Sequence, residues 1–380
     1  MKLSGKPPVH LTYCLNVHPG ESWGENLEDI RTHALRVKAF LCPGASFGLG
    51  LRLGERAARE LAEPTTLARF RDLLTEHDLY VFTINGFPYG TFHRTAVKSD
   101  VYKPDWRTVE RRDYTNLLAD LLAELLPEDV TGSISTVPGS YKSWVQTSDD
   151  RRRMLRMLSA SAAHLAEIRY RTGREISLAL EPEPDCVIEN TDEALAFFAE
   201  APDETFRRHV GVCVDLCHLA VAFEDPADSM RRLVDAGVRV SKVQLSSALR
   251  CAPTDEAIAA LAAFRDPVYL HQVKVRTADG AVLSYADLSE ALERRAEACS
   301  PDEEWRVHFH VPLFLSAYGA LESTRSLYTP ELARMLTDGV SEHLEIETYT
   351  FDVLPEGLRE PDVAESIARE FEWVLSYLKR

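Results

Sequence analysis

Short apolar runs alternate with longer amphipathic ones along most of the chain. Residues 9–17 (VHLTYCLNV) read as a strand, and apolar positions then recur at helical spacing over 27–41. Further strands are predicted at 46–53, 79–84, 131–137, 177–180, 210–214, 238–245 and 343–349. Between them, helical periodicity runs over 54–62, 64–77, 106–126, 149–171, 190–199, 226–236, 255–264, 329–338 and 361–378. The rhythm breaks once. Residues 268–283 hold two β-prone runs around Ala278, Asp279 and Gly280, the turn chemistry of a hairpin; a helix over 285–299 and a strand over 305–315 follow.

Repeated strand–helix alternation implies parallel strands joined by right-handed crossovers. Eight such units predict an α/β fold of the (β/α)8 TIM-barrel kind in a single domain over 1–380, with an insertion at about 251–315 before the last barrel strand. A doubly wound open sheet competes, but no glycine-rich phosphate fingerprint follows the first strand.

Polar residues stand where the apolar runs end, which is the catalytic face of such a barrel. The run from Val210 stops at Asp215, with His218 three residues on; SLALEPE at 177–183 stops at Glu181. The run from Val238 reaches Gln244, His308 and His310 alternate around Phe309, and Glu345 and Glu347 share one face of the last run. A lone carboxylate at a strand end is more often a helix cap than a ligand. Three carboxylates at one barrel mouth repel one another and shift each other's pKa unless a cation neutralises them. Glu181, Asp215 and Glu347 with nearby histidine therefore favour a divalent metal ion (Zn, Mn or Mg) over salt bridges to the rim, for which Lys242 and Lys274 are too few. His18, after the first strand, is a candidate general base or substrate hydrogen-bond donor. His93, Phe87 and Tyr89 in the loop NGFPYGTFH, and His271 in the insertion, are candidates for substrate binding.

Composition narrows the function. Hydrophobic content of 45% and charged content of 27% over 380 residues suit a globular protein, and no apolar run is long enough to span a membrane. The first residues lack the apolar core and cleavage site of a secretory signal, and seven scattered cysteines fit reduced thiols, so a cytoplasmic location is expected. Cys213 and Cys217, flanked by Val214 and Leu216, read as buried thiols rather than a zinc pair. A net charge of −17 argues against a nucleic-acid partner, and the run Arg151–Arg153 reads as the solvated first turn of a helix.

GVCVDLCHLAVAFED at 211–225 resembles the xylose-isomerase-like barrels, including the endonuclease IV type of abasic-site enzyme. That resemblance implies metal ligation by Glu181, Asp215, His218 and Glu347, with Gln244 in a slot usually filled by His or an acid. His308 and His310 fall on the family's later acid-containing pair of ligands, and the first of the two departs from the pattern. HLTYCLNVHPGESW at 10–23, NGFPYGTFH at 85–93, VQLSSAL at 243–249, HFHVPLF at 308–314 and LEIETYTFDVLP at 344–355 are similar to the bacterial EboE-type metabolite traffic proteins of the same superfamily. From these resemblances follows an isomerase- or epimerase-like enzyme acting on a small sugar-like or polyol metabolite, with Glu181 or Glu347, or His18, moving the proton. The alternatives are a phosphoester hydrolase of the endonuclease IV type and a non-catalytic traffic barrel with membrane-protein partners.

Overall fold

The computed structural model describes residues 1–3, 5, 7–90, 98–265, 270–294, 299–351 and 362–379. Eight parallel strands form a nearly closed barrel: β1 (His10–Tyr13), β2 (Phe47–Arg52), β3 (Leu79–Asn85), β4 (Gly132–Thr136), β5 (Ile176–Leu180), β6 (Val210–Asp215), β7 (Val240–Leu245) and, last in the chain, β14 (His343–Ile346). They run in the order β1–β14–β7–β6–β5–β4–β3–β2, and a parallel bridge from Cys14 to Gly50 draws β1 toward β2. Helices pack outside, among them Val109–Leu125, Ser148–Thr172 and Val363–Tyr377. Ser148–Thr172 starts from a reciprocal cap between Thr147 and Asp150 and ends at Gly173, whose φ of 74° suits a residue without a Cβ.

Between β7 and β14 the chain builds a second, antiparallel sheet from β8 (Leu249–Cys251), β9 (Val273–Arg276), β10 (Val282–Tyr285), β11 (Glu304–Val307), β12 (Ala317–Tyr318) and β13 (Leu321–Ser323), in the order β10–β9–β11–β8–β13–β12. It draws on a wider stretch than the 251–315 expected for the insertion. Val273, Val275, Trp305, Val307 and Leu321 give it a buried core of its own with the helices Asp255–Ala262 and Leu288–Arg294.

Several elements are shorter than the sequence pattern suggests. β1 stops at Tyr13 and passes into a tight turn over Leu15–Val17. The strand expected over 305–315 is regular only to Val307, so His308 and His310 lie in an irregular segment beyond it rather than on one strand face. Pro312 in that segment cannot donate to a ladder. A short helix, Glu204–His209, capped by Asp203, precedes β6.

The barrel's lower interior is polar. Lys242 Nζ lies 2.6 Å from Glu345 Oε2, both side chains fully buried. Gly50 makes room for them, since a Cβ there would stand 1.9 Å from Glu345 Oε1. Residues two apart on a strand share a face, so Gln244 and Glu347 stand one layer above this pair.

Candidate metal centre

The four adjacent staves β5, β6, β7 and β14 end at one level. Asp215 is in register with Gln244, and Gln244 with Glu345. Glu181 follows β5, and its amide donates to the Thr136 carbonyl; Glu347 follows β14 and donates to the Leu245 carbonyl. Glu181, Asp215 and Glu347 each bring a carboxylate oxygen within 4.8 Å of the other two. All three are buried, and Glu181 Oε2, Asp215 Oδ2 and Glu347 Oε2 have no hydrogen-bond partner. Gln244 is wholly buried, with neither amide atom partnered.

Asp215 is a helix cap and also faces the cluster. Its Oδ1 caps the helix Leu216–Val221 by accepting from the His218 amide at 2.9 Å and also accepts from Ser246 Oγ at 2.9 Å, while Oδ2 faces the other acids. Glu347 Oε1 accepts from Asn16 Nδ2 at 2.7 Å and Asn85 Nδ2 at 3.4 Å. No lysine or arginine among the described residues pairs with these three carboxylates; Lys242 is taken by Glu345, and Lys274 by Glu189 and Asp185.

Three imidazoles flank the acids. His218 Nδ1 donates to the Pro182 carbonyl at 2.8 Å, His308 Nδ1 to Gln272 Oε1 at 2.7 Å and His310 Nδ1 to the Glu347 carbonyl at 2.9 Å. Their Nε2 atoms turn toward one another, 3.1 Å from His218 to His308 and 3.2 Å from His308 to His310. Donation from Nδ1 leaves Nε2 with the lone pair that a metal ion takes. Cys217 adds a thiol near His308 and His310, although its Sγ donates to the Phe309 carbonyl at 3.4 Å.

Charge is divided unevenly in this cluster. Burial pushes Glu181 up to about 8, the Asp215 charge adding to it and His218 opposing. Burial, with Glu181 and Asp215, drives Glu347 well above the carboxylate range. Burial would raise Asp215 too, but His218, His310 and its two hydrogen bonds hold it below its ordinary value. Burial drives His308 well below its ordinary value and His310 to about 4; His218 alone of the three is raised, because Asp215, Glu183 and Glu181 outweigh its desolvation. With no metal bound, the acids cannot all ionise together. A divalent cation would let them.

Glu181, Glu347 and the three imidazoles line a pocket open to solvent, together with Glu183, Tyr102, Phe87, Lys98 and Tyr349. Arg111 holds Phe87 in place by donating to the Gly86 and Phe87 carbonyls. Tyr102 donates to Glu183 Oε1 at 3.0 Å.

Other expected residues lie elsewhere. His18 bonds to the Tyr13 hydroxyl at 3.0 Å and stacks on His33 at 4.4 Å, outside the cavity, so no proton-moving role is carried forward for it. Tyr89 packs edge-on against Tyr114 beside a separate surface groove. His271 is buried, donates to the His308 carbonyl and stacks on Phe309 at 3.6 Å, where it supports the site's wall instead of lining the cavity. His93 lies outside the described residues.

The model of the xylose isomerase-like TIM barrel family matches residues 48–275. The chain belongs to that family. A xylose isomerase-like TIM barrel protein from Mycobacterium smegmatis in complex with magnesium is 14% identical, with 99% of this chain and 98% of that one covered at a TM-score of 0.54. The probable 3-DHS dehydratase AsbF of petrobactin synthesis from Bacillus anthracis is 14% identical over 97% of this chain and 99% of its own, at 0.51. An L-ribulose 3-epimerase is 11% identical over 98% and 95%, at 0.51. At such identities these likenesses speak for the fold. The comparison with curated proteins returned no significant match. Among the described residues no helix is long and apolar enough to cross a membrane.

Proposed function

We propose that this barrel is a divalent-metal-dependent enzyme of the sugar isomerase or epimerase type, acting on a small sugar-like or polyol metabolite. One observation carries the reading: three buried carboxylates from separate strands, each with an unpartnered oxygen, meet beneath a pocket that Glu181 and Glu347 line, and among the described residues no lysine or arginine pairs with them. The residues present fit a divalent ion, with Glu181, Asp215, Glu347 and the Gln244 amide oxygen as its oxygen donors. When bound, the ion supplies Lewis-acid polarisation of neighbouring substrate oxygens. Glu181 and Glu347 stand on different strands at the same level, so one takes the proton from the carbon beside the carbonyl and the other returns it. Asp215, pinned through Oδ1, keeps its charge. Phe87, Tyr102 and Tyr349 wall the space and limit water.

The test is the metal content of purified protein together with its turnover of ketoses. Stoichiometric Zn, Mn or Mg in the wild type and its loss in Asp215→Ala support the reading; unchanged metal in the variant defeats it.

The convergent Nε2 atoms of His218, His308 and His310 favour a second reading, metal-assisted hydrolysis of a small phosphoester, because with Glu183, Cys217 or Asp215 these imidazoles form further groups that could hold a cation. Two ions per chain and cleavage of a small phosphoester, with an abasic duplex left intact, would select it. Finer placement among EboE-type proteins rests on the sequence motifs; full biological function without Glu181 and Asp215 would favour their traffic role over either enzyme. We assign the protein to the cytoplasm on its seven free cysteines.

A further inference from the structure

The inserted sheet reaches into the barrel's site through two segments that meet side by side. Gln272 stands just before β9 and His308 just after β11, and the His308 amide donates to the Gln272 carbonyl at 2.9 Å. Their side chains join as well, His308 Nδ1 to Gln272 Oε1 at 2.7 Å. On its other side the Gln272 amide nitrogen bonds to the Pro184 carbonyl at 3.1 Å and the Tyr102 hydroxyl at 3.0 Å.

Chemistry fixes the sense of every bond. A carbonyl oxygen only accepts, so the nitrogen of the Gln272 amide must face Pro184, and its oxygen must face His308. That oxygen also only accepts, so His308 carries its proton on Nδ1 and presents a lone pair at Nε2. The Tyr102 hydroxyl, receiving from Gln272, is left to donate to Glu183. Gln272 and Tyr102 are almost wholly buried, which strengthens these bonds.

The three imidazoles differ in what orients them. His218 and His310 donate to backbone carbonyls, which no substitution removes. His308 depends on a side chain.

We propose that Gln272 is a positioning residue: it locks His308 in the Nδ1–H form with Nε2 turned toward His218 and His310, so that the inserted sheet sets the ligand geometry of a site built in the barrel. Use of that lone pair on a divalent ion rests on the second reading above, in which the imidazoles take part in cation binding; the tautomer does not.

Long-range ¹H–¹⁵N correlation on metal-free, ¹⁵N-histidine-labelled full chain reads the tautomer, with His308 assigned by its loss in His308→Asn. The wild type is expected to show Nδ1–H at His308. Gln272→Leu should shift it toward Nε2–H, while Gln272→Glu, which still offers an acceptor, should keep it. Titration with Co²⁺ should then show binding weakened about 10- to 100-fold in Gln272→Leu and within a few-fold of wild type in Gln272→Glu. An Nε2–H form in the wild type overturns the proposal, as does a Gln272→Leu protein with unchanged tautomer. Should Gln272→Leu fail to fold, the wild type and Gln272→Glu carry the same test. Failure of the metal reading looks different: Asp215→Ala binds Co²⁺ like the wild type, whatever His308 does. Loss of Co²⁺ in Asp215→Ala with unweakened binding in Gln272→Leu leaves the metal reading standing and sinks this one.

Discussion

Glu345 and Glu347 lie two residues apart, are both buried, and face the same barrel axis, yet they are neutralised in opposite ways. Glu345 meets the Lys242 ammonium at 2.6 Å in a layer where Gly50 clears the space. Glu347, one layer up, meets two more carboxylates and the imidazoles, and one of its oxygens has no partner. The lower carboxylate has its countercharge within the protein, although its Oε1 accepts no hydrogen bond, and this pair can only stabilise or destabilise the fold. The upper cluster leaves three acceptor oxygens unpartnered and without a lysine or arginine among the described residues, which costs stability unless something from outside supplies the positive charge. The contrast separates a buried carboxylate used as structure from one used as a site.

The largest expected effect breaks the lower layer. Lys242→Met leaves Glu345 as an uncompensated buried charge and should cost about 3–5 kcal/mol in urea unfolding. Adding Glu345→Leu should recover most of that loss, since an apolar pair of similar volume replaces a buried ion pair at little cost. A Lys242→Met protein as stable as wild type would show that the lower pair differs little from the upper cluster. Asp215→Asn makes the matching change above. It keeps an oxygen for the His218 amide and removes the charge, so divalent-ion affinity by calorimetry should fall about 100-fold, equivalent to about 3 kcal/mol, with little change in the metal-free unfolding midpoint.

A third expectation concerns pH. Glu181 is raised to about 8 in the fold from an ordinary 4.5, so between those values the folded chain binds more protons than the unfolded one. Its contribution is therefore fully present below about 4.5 and is lost as pH rises through about 8. Burial lowers His10 to about 4 and likewise depresses His343, which gives stability that is lost as pH falls below 6.5. Burial also lowers the Met1 α-amine from 8.0 to about 5, which opposes the carboxylates up to pH 8, so between pH 6.5 and 8.5 the comparison of wild type with Glu181→Gln isolates this carboxylate. There the metal-free protein should lose stability with rising pH, Glu181→Gln should flatten part of the slope and gain on the order of 2 kcal/mol at pH 8, and bound metal should remove the cluster's share while leaving that of Glu370, which burial raises to about 8 outside the cluster. A metal-free protein with a flat profile in that window would mean that the acids are neutralised from within.

Much of the site was legible because a buried strand that stops at a carboxylate is locally unusual. Glu181, Asp215, Gln244 and Glu347 all lie at such ends, and the two-residue period put Glu345 with Glu347 on one face. What the period could not tell was which acid Lys242 meets, since that depends on strand order around the barrel. His18 carries the same local signature as a site histidine, a loop position after a strand, and only its tertiary contacts with Tyr13 and His33 remove it. Asn16, Asn85, Tyr102, Glu183 and Gln272 were missed as participants. They come from strand ends, turns and the insertion, where no periodicity marks a side chain that points inward. The sequence pattern makes His308 and His310 strand neighbours; they reach the site from an irregular segment, held by Gln272 and the Glu347 carbonyl instead of a ladder.

The smallest expected effect asks how the upper carboxylates are aimed without a countercharge. In the lower layer the ammonium itself orients Glu345. Asp215 is oriented by neutral donors, the His218 amide and Ser246 Oγ, both on Oδ1, so that Oδ2 is left for the cluster. Ser246 is fixed in turn by accepting from the Cys217 amide at 2.8 Å. Ser246→Ala removes one of the two bonds that turn Asp215 and keeps its charge. Divalent-ion affinity should fall about five- to tenfold, less than in Asp215→Asn, because the carboxylate is still present but less well aimed. The metal-free protein should lose about 1 kcal/mol, the cost of a typical hydrogen bond. Adding Ser246→Ala to Asp215→Asn should then weaken metal binding little further, since the bond acts only through the charge it orients. Additive losses in that cycle would mean that Ser246 acts on the site by another route, and that neutral hydrogen bonds do not do for Asp215 what Lys242 does for Glu345.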